Sequence, residues 1–259
     1  AVRLWTSSGS LGNDIVYSEE EFRNANKLIN KIWNAAKFVI MQLEGFEKKD
    51  DNDNLVILNP YNKNDDVELM HMDKWIIASF NKMLRRFENY LEKYELGLAI
   101  GELEKFFWNY CDNYIEIIKN RVYKPEIYGE NARKSGLYAA YHTLLGLIKC
   151  FAIYIPHVTE EIYQGYFVEH EEVVSIHKTV ISPIYEREEF TLEDFETGEA
   201  AIKVISELRR YKSEKNLSLK VEIDEAIITA PDNIKFDNII GDISSGDIIF
   251  IDNNDKIFA

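Results

Sequence analysis

The stretch over residues 24–41 constrains the fold most, because its apolar residues recur at the spacing of a helix with one buried side. That buried row is predicted to contain Ala25, Ile32, Trp33 and Ala36. The other side carries amides, ammonium groups and one aromatic ring, from Asn26, Lys27, Asn30, Lys31, Asn34, Lys37 and Phe38. Lysines pair with phosphates, amides bond to base edges and rings stack on bases. The pattern therefore fits a surface for unpaired nucleotides, and it also fits a solvated helix face that only gives solubility.

Helical periodicity continues through most of the chain. Long amphipathic segments are predicted over residues 74–95, 98–122 and 131–155, with a shorter helix over 159–167. Long amphipathic helices joined by short or moderate connections predict an antiparallel helix bundle.

The pattern changes after Pro183. A helix is predicted over residues 191–214, and β-type alternation follows within 221–230 and 247–252. We therefore predict a mainly α fold in which the bundle is followed by a small α+β subdomain. The predicted domain boundaries are 1–16 for a junction segment, 17–185 for the bundle and 186–259 for the small subdomain.

The charge distribution is uneven. A formal net charge of −15 argues against a general nucleic-acid binder, because such proteins are usually basic. Basic residues nevertheless cluster in residues 208–220, where five lysines and arginines stand against one acid. Within that cluster Arg209, Arg210 and Lys212 are candidate phosphate contacts. A helix surface held by salt bridges to acidic neighbours would explain the same cluster.

Neither the cysteines nor the histidines indicate a metal site. Cys111 and Cys150 are far apart and lie in apolar helical patterns, which is typical of buried free thiols in a reducing cytosol.

No apolar run in the sequence approaches the ~20 residues that a membrane-spanning helix needs. We therefore expect a cytoplasmic chain with no membrane partner, no metal and no cofactor of its own.

Several segments resemble one enzyme family in their amino-acid sequence. NKIWNAAKFV, which follows LWTSSGSLGNDI, is similar to the junction between the catalytic and anticodon-binding domains of valyl-tRNA synthetases, which are class I aminoacyl-tRNA synthetases. The resemblance continues in order through MDKWIIASFNKML, FFWNYCDNYIEIIKNRVY, LLGLIKCFAIYIPHVTEEIYQ and IKVISELRRYKSEKNLSLKVEI. It covers most of the chain, and the final segments resemble archaeal-type short valyl enzymes more than bacterial ones.

The resemblance implies that the chain is the C-terminal portion of a valyl-tRNA synthetase and that it binds the anticodon loop of tRNA(Val). Lys37 and Phe38 occupy the Arg-Phe positions that contact anticodon-loop bases in the family, with a lysine in place of the bidentate arginine. Asn26, Asn30 and Asn34 are candidates for hydrogen bonds to bases or backbone. A hydrogen bond between helices would account equally well for Asn34.

The resemblance also implies what this portion does not do. The HIGH and KMSKS signatures of the family's nucleotide-binding core are absent from the sequence. A full-length parent would ligate valine to tRNA with ATP and Mg²⁺, whereas this portion should be inactive alone and hold neither. Its other partner would be the parent's own N-terminal catalytic domain, and we expect a monomer.

Two alternatives remain open from the sequence. A helical bundle for protein interaction would suit the charge of −15, and it would gain if Lys31 and Phe38 were buried between helices. The anticodon-binding domain of an isoleucyl- or leucyl-tRNA synthetase is the other. Isoleucyl members normally carry a cysteine-rich zinc tail, which two separated cysteines cannot make.

Overall fold

The computed structural model describes residues 1–9, 12, 14, 17–44, 48–49, 55–56, 67–184, 191–219, 221, 226–228, 230–231, 233–247, 250–251 and 256–258. Its long helices are α2 (Glu19–Glu44), α3 (His71–Glu92), α4 (Leu96–Asn109), α7 (Glu130–Phe151) and α10 (Leu192–Glu214). Its shorter helices are α1 (Val2–Ser7), α5 (Ile115–Tyr123), α6 (Pro125–Tyr128), α8 (Pro156–Ile162), α9 (Val168–Glu171) and α11 (Ile240–Asp247). Single 3-10 turns occur at Ile176–Lys178 and Phe236–Ile239. The prediction of a mainly α fold is confirmed.

Two of the predicted helices contain a π-helical turn. α4 continues into α5 through the turn Tyr110–Tyr114, and α8 continues into α9 through the turn Tyr163–Phe167. A π-helical turn inserts an extra residue and shifts the register of the helix on its C-terminal side. Hydrophobic spacing does not reveal such a turn, because the helix on each side of it keeps the ordinary period.

Local chemistry fixes where helices begin. The Thr191 hydroxyl accepts a hydrogen bond from the Asp194 backbone N–H at 3.1 Å, and the Asp194 carboxylate accepts one from the Thr191 N–H at 3.0 Å. This capping box starts α10 where the sequence predicts it. α8 begins at Pro156, whose missing N–H costs nothing in a first turn. The predicted start at residue 159 is therefore wrong.

The β structure of the described residues consists of short strands. β1 (Lys48–Lys49) pairs antiparallel with β2 (Leu55–Val56). β5 (Lys256–Phe258) pairs antiparallel with both β3 (Ala226–Ile227) and β4 (Phe250–Ile251). Strands of two or three residues do not establish a separate α+β subdomain. That subdomain stays a prediction, and so do the predicted domain boundaries.

The described residues divide into two compact units. The first draws on residues 1–66, 80–108 and 140–185, and the second on 67–79, 109–139 and 186–259. No helix in the described part of the chain is long and apolar enough to cross a membrane.

Aromatic rings fill the core of the first unit. The Phe80 ring packs edge-on against Phe106 with centroids 5.8 Å apart, and Phe107 packs edge-on against Phe151 at 5.5 Å. All four rings are buried. Gly146 lies against Phe80 so closely that a Cβ there would come 2.3 Å from the ring's Cζ. The glycine is therefore required for this ring to pack against α7.

A buried asparagine fastens a loop to α3 within the first unit. The Asn81 Nδ2 donates to the Ile184 carbonyl at 2.7 Å, and its Oδ1 accepts from the Ile184 N–H at 2.8 Å. Both residues are buried, so the two bonds satisfy backbone groups that water cannot reach. This contact holds the chain at residue 184 in one position against the helix.

A buried charge cluster lies in the second unit. The Arg121 guanidinium is 1% exposed and donates to both carboxylate oxygens of Asp73 at 2.9 Å. Its Nε lies 3.0 Å from the Oδ1 of Asp242, at the start of α11. Asp73 also accepts from the hydroxyls of Tyr114, at 2.7 Å, and Ser135. Residues of α3, α5, α7 and α11 thus meet around one cation.

The two carboxylates of this cluster have different surroundings. The Asp73 carboxylate accepts four hydrogen bonds. The Asp242 carboxylate lies beside the Arg121 guanidinium, which already donates to Asp73. Burial raises the pKa of Asp242 to about 6, and the neighbouring Asp73 adds to this, while Arg121 and His71 act in the opposite direction. Burial alone would lower the pKa of Arg121, but Asp242 and Asp73 together raise it above its ordinary value. The guanidinium therefore stays charged.

The second unit also contains the most enclosed tryptophan of the described residues. The Trp75 indole N–H donates to the Glu199 carboxylate at 2.9 Å, and its ring lies against Gly198 of α10. A Cβ at Gly198 would lie 2.4 Å from the Cγ of Trp75. The close approach of α3 and α10 therefore depends on this glycine.

Candidate nucleic-acid interface

One side of α2 packs into the core of the first unit. The buried residues on that side are Ala25, Leu28, Ile32, Ala35, Ala36, Val39 and Leu43. Trp33 was predicted to belong to this row, but its side chain is 45% exposed, and that prediction is wrong. Each residue of a helix is turned about 100° around the axis from the one before it. Trp33 directly follows the buried Ile32, so its side chain lies at the border of the buried row. Spacing alone does not distinguish a border position from a buried one.

The other side of α2 keeps the predicted polar residues together. Exposed side chains on it belong to Asn26, Lys27, Asn30, Asn34 and Lys37, and half-buried ones belong to Lys31 and Phe38. We call these seven residues the polar face of α2. No hydrogen bond from the Asn34 carboxamide to another helix occurs among the described residues. The three asparagines, Lys27 and Lys37 are therefore accessible to solvent, whereas Lys31 lies against Trp108.

The polar face of α2 is locally basic. No acidic residue occurs between Phe22 and Leu43, whereas Arg23, Lys27, Lys31 and Lys37 all fall in that stretch. Arg23 pairs with Glu19, one turn before it. Lys27, Lys31 and Lys37 belong to the polar face itself. The chain as a whole has 45 acidic against 30 basic residues. The stretch is therefore an exception within an acidic protein.

A tryptophan of α4 extends the polar face beyond α2. The Lys31 ammonium lies over the Trp108 ring, 5.7 Å from its centroid, within the range of a cation–π contact. Trp108 is 38% exposed. Sequence reasoning missed this residue as part of the site. The signal that could have found it is its position outside the apolar row of α4, which passes through Leu103 and Phe107.

Two of the cations predicted on α10 are engaged in contacts within the second unit. The Arg209 guanidinium donates to the Asp112 carbonyl at 3.1 Å and to the Asn113 side-chain oxygen at 2.8 Å. Both acceptors belong to the π-helical turn after α4. Arg210 pairs with Glu207 on the exposed side of α10. These contacts match the salt-bridged helix surface that the sequence left as the alternative.

Lys212 is enclosed rather than exposed. Its side chain is 1% exposed, and its ammonium donates to the Leu219 carbonyl at 3.0 Å. An ammonium group in this position stabilises the chain reversal after α10, since it satisfies a carbonyl outside the helix. A phosphate could reach it only if that segment moved away. The structure therefore brings the seven α2 candidates together on one face but gives the three α10 candidates other partners.

No group of three or more histidine, cysteine or acidic side chains in the described part of the chain is arranged to hold a metal ion. Both cysteines are buried, and burial raises the pKa of the Cys150 thiol well above its ordinary value. Burial and the nearby Lys149 lower the pKa of His142 to about 3. The Cys150 thiol and the His142 ring are therefore neutral at physiological pH.

Comparison with known proteins identifies the family. Residues 73–228 match the model of the anticodon-binding domain of tRNA ligase, and this match covers more than half of the chain. The chain belongs to this family. α2 precedes the residues matched by this family model.

Individual relatives are valine–tRNA ligases. Those of Rickettsia felis and Rickettsia canadensis are each 34% identical over 223 residues, and that of Rickettsia conorii is 33% identical over the same length. Each similarity covers 86% of this chain, and the chain spans about a quarter of the length of these relatives. The resemblance to valyl-tRNA synthetases is thus confirmed. The archaeal-type affinity stays a prediction.

Proposed function

We propose that this anticodon-binding domain recognises the anticodon loop of tRNA(Val) on behalf of a valine–tRNA ligase. The relatives are valine–tRNA ligases, which supports tRNA(Val) as the bound RNA. The matched family is an anticodon-binding domain, which supports the anticodon loop as the part of the tRNA that is bound. Ligation of valine with ATP and Mg²⁺ would belong to the rest of the ligase. This chain would contribute binding and would act in the cytoplasm as a monomer without a cofactor.

The observation that carries the proposal is the polar face of α2. An RNA loop needs cations for its phosphates, donors and acceptors for its base edges, and a ring for an unstacked base. The face supplies all three in 22 residues without a single carboxylate, in a chain whose net charge is −15. General electrostatic attraction cannot bring RNA to such a chain, so binding depends on this local surface.

Each group of the face has a distinct role in the proposal. The exposed Lys37 ammonium pairs with a phosphate of the loop, and Phe38 stacks on an unpaired base. Asn26, Asn30 and Asn34 provide amides that both donate and accept, which suits base edges or ribose groups. Lys27 and Lys31 extend the row of cations along the helix.

The protein-interaction alternative has no specific support. It would gain if Lys31 and Phe38 were buried between helices, and both are only half-buried. The isoleucyl and leucyl alternatives are disfavoured because the Rickettsia relatives are valine–tRNA ligases.

A titration of labelled tRNA(Val) transcript with this chain at low salt tests the proposal. A second transcript carries a changed anticodon in the same body. We expect tighter binding of the native anticodon and loss of that preference in the double variant Lys37→Ala, Phe38→Ala. Lys93→Ala removes an exposed lysine of the same unit outside α2, and it should bind like the wild type. Equal weak binding of both transcripts would contradict recognition, and no binding at all would favour a protein partner.

A further inference from the structure

The polar face of α2 has two flanks, and an aromatic ring marks each. Lys31 and Phe38 are seven residues apart, which places them on one flank, about 20° apart around the axis and about 10 Å apart along it. Trp33 is two residues from Lys31 and therefore about 200° away, on the opposite flank. An RNA strand that crosses the face has to leave it over one of these two sides.

The flank of Lys31 continues onto a second helix. The Lys31 ammonium lies 5.7 Å from the centroid of the Trp108 ring, and Trp108 belongs to α4 of the same unit. Trp108 is 38% exposed, although tryptophan is highly buried on average. The Trp5 indole in this unit, by comparison, donates its N–H to the Glu21 carboxylate at 3.1 Å. A cation and a partly exposed ring thus lie side by side next to Phe38.

An aromatic ring beside an ammonium group matches the two groups that repeat along a nucleic-acid strand, a base and a phosphate. Bases stack on aromatic faces whatever their identity, and lysine pairs with the phosphates that join them. Stacked nucleotides are about 3.4 Å apart along a strand, so the ~10 Å between Phe38 and Lys31 corresponds to about three steps. Phe38 and the Lys31–Trp108 pair would therefore contact different nucleotides of one loop.

We propose that the bound RNA leaves the polar face over the flank of Lys31, where an unpaired base stacks on Trp108 and the adjoining phosphate pairs with Lys31. This inference rests on the proposed function and adds to it a second stacking site on α4. The site adjoins the polar face of α2, on which no carboxylate occurs between Phe22 and Leu43. Because stacking tolerates any base, Trp108 should contribute affinity and not anticodon preference.

Two tryptophan variants of matched chemistry test the direction. Trp108→Ala should weaken binding about 5- to 150-fold, and by the same factor for native and changed anticodons, since one stacked base is lost. Trp33→Ala removes an equally large exposed ring from the other flank and should leave affinity within about twofold of the wild type. Trp108→Phe keeps a stacking face and should recover most of the affinity. Trp108→Leu keeps apolar packing against Phe107 without a π face, and it should bind as weakly as Trp108→Ala.

The outcomes separate this inference from the proposed function. If Lys37→Ala, Phe38→Ala abolishes anticodon preference while Trp108→Leu binds like the wild type, the recognition surface stands and the second stacking site is refuted. Loss of binding in Trp33→Ala alone would place the RNA on the opposite flank. A wild-type chain that binds neither transcript would overturn both proposals. Circular dichroism and thermal unfolding of each variant establish that a loss of binding is not a loss of fold.

Discussion

Asp242→Asn should make the chain's stability less dependent on pH. The Asp242 carboxyl is completely buried, and its neighbour Arg121 is already engaged by both oxygens of Asp73. Two buried carboxylates therefore share one guanidinium. Burial raises the pKa of Asp242 from an ordinary value of 3.8 to about 6, so the folded chain binds a proton that the unfolded chain has released.

The sign and size of the effect follow from linkage. A raised pKa in the folded state stabilises the fold below the ordinary value, and this stabilisation is lost as the pH rises through the folded value. The difference between 3.8 and about 6 corresponds to about 3 kcal/mol in total. The chain is expected to be poorly soluble near its pI of about 4.9, so the accessible window begins near pH 5.5. Between pH 5.5 and 7.5 the remaining loss is about 1 kcal/mol.

The assay compares urea unfolding of the wild type and of Asp242→Asn at four pH values between 5.5 and 8. We expect the free energy of unfolding of the wild type, relative to the variant, to fall by about 1 kcal/mol over this range. Glu126→Gln removes an exposed carboxylate of the same unit and should leave the profile unchanged. A difference that rises with pH would refute the reasoning, because it would mean that Arg121 holds Asp242 charged. A flat difference would refute it as well.

Three substitutions test the packing. Asn81→Ala should lower the free energy of unfolding by about 2–4 kcal/mol, because it leaves the N–H and carbonyl of Ile184 buried without partners, and urea unfolding measures this. Gly198→Ala should cost about 1–3 kcal/mol, because the new Cβ would meet the Trp75 ring. Gly101→Ala, in open space on α4, should instead stabilise by about 0.5–1 kcal/mol. Equal effects of the two glycine substitutions on the melting temperature would contradict the packing described for Trp75.

Sequence periodicity was sufficient for the long helices and for the polar face of α2. Alternation between apolar and polar residues decides which side of a helix is buried, and Ala25, Ile32 and Ala36 are buried as predicted. Trp33 was misplaced because it lies at the border of the row, where burial depends on which neighbour covers it. Hydropathy treats a border tryptophan as a core residue.

The partners of charged residues could not be predicted from the sequence. Arg209 and Lys212 look like a basic patch in the sequence, yet each donates to a backbone carbonyl elsewhere in its unit. The acceptor of Arg209 lies in a π-helical turn that periodicity does not reveal. The cluster around Arg121 brings together residues more than 100 positions apart, from Asp73 to Asp242. Such pairs depend on tertiary packing, and only the fold shows them.

The lack of carboxylates on the polar face of α2 has a consequence for specificity. A polyanion that approaches a chain of net charge −15 is repelled over most of its surface, whatever its sequence. This repulsion opposes non-specific binding of unrelated RNAs. A basic protein would instead attract them. Added salt should therefore act in two ways on the proposed RNA binding: it would screen the repulsion that slows encounter, and it would weaken the proposed contacts between the lysines and the phosphates of the loop. In this proposal the net negative charge of the chain disfavours unrelated polyanions, and the lysines of the polar face of α2 provide the local attraction that the anticodon loop needs.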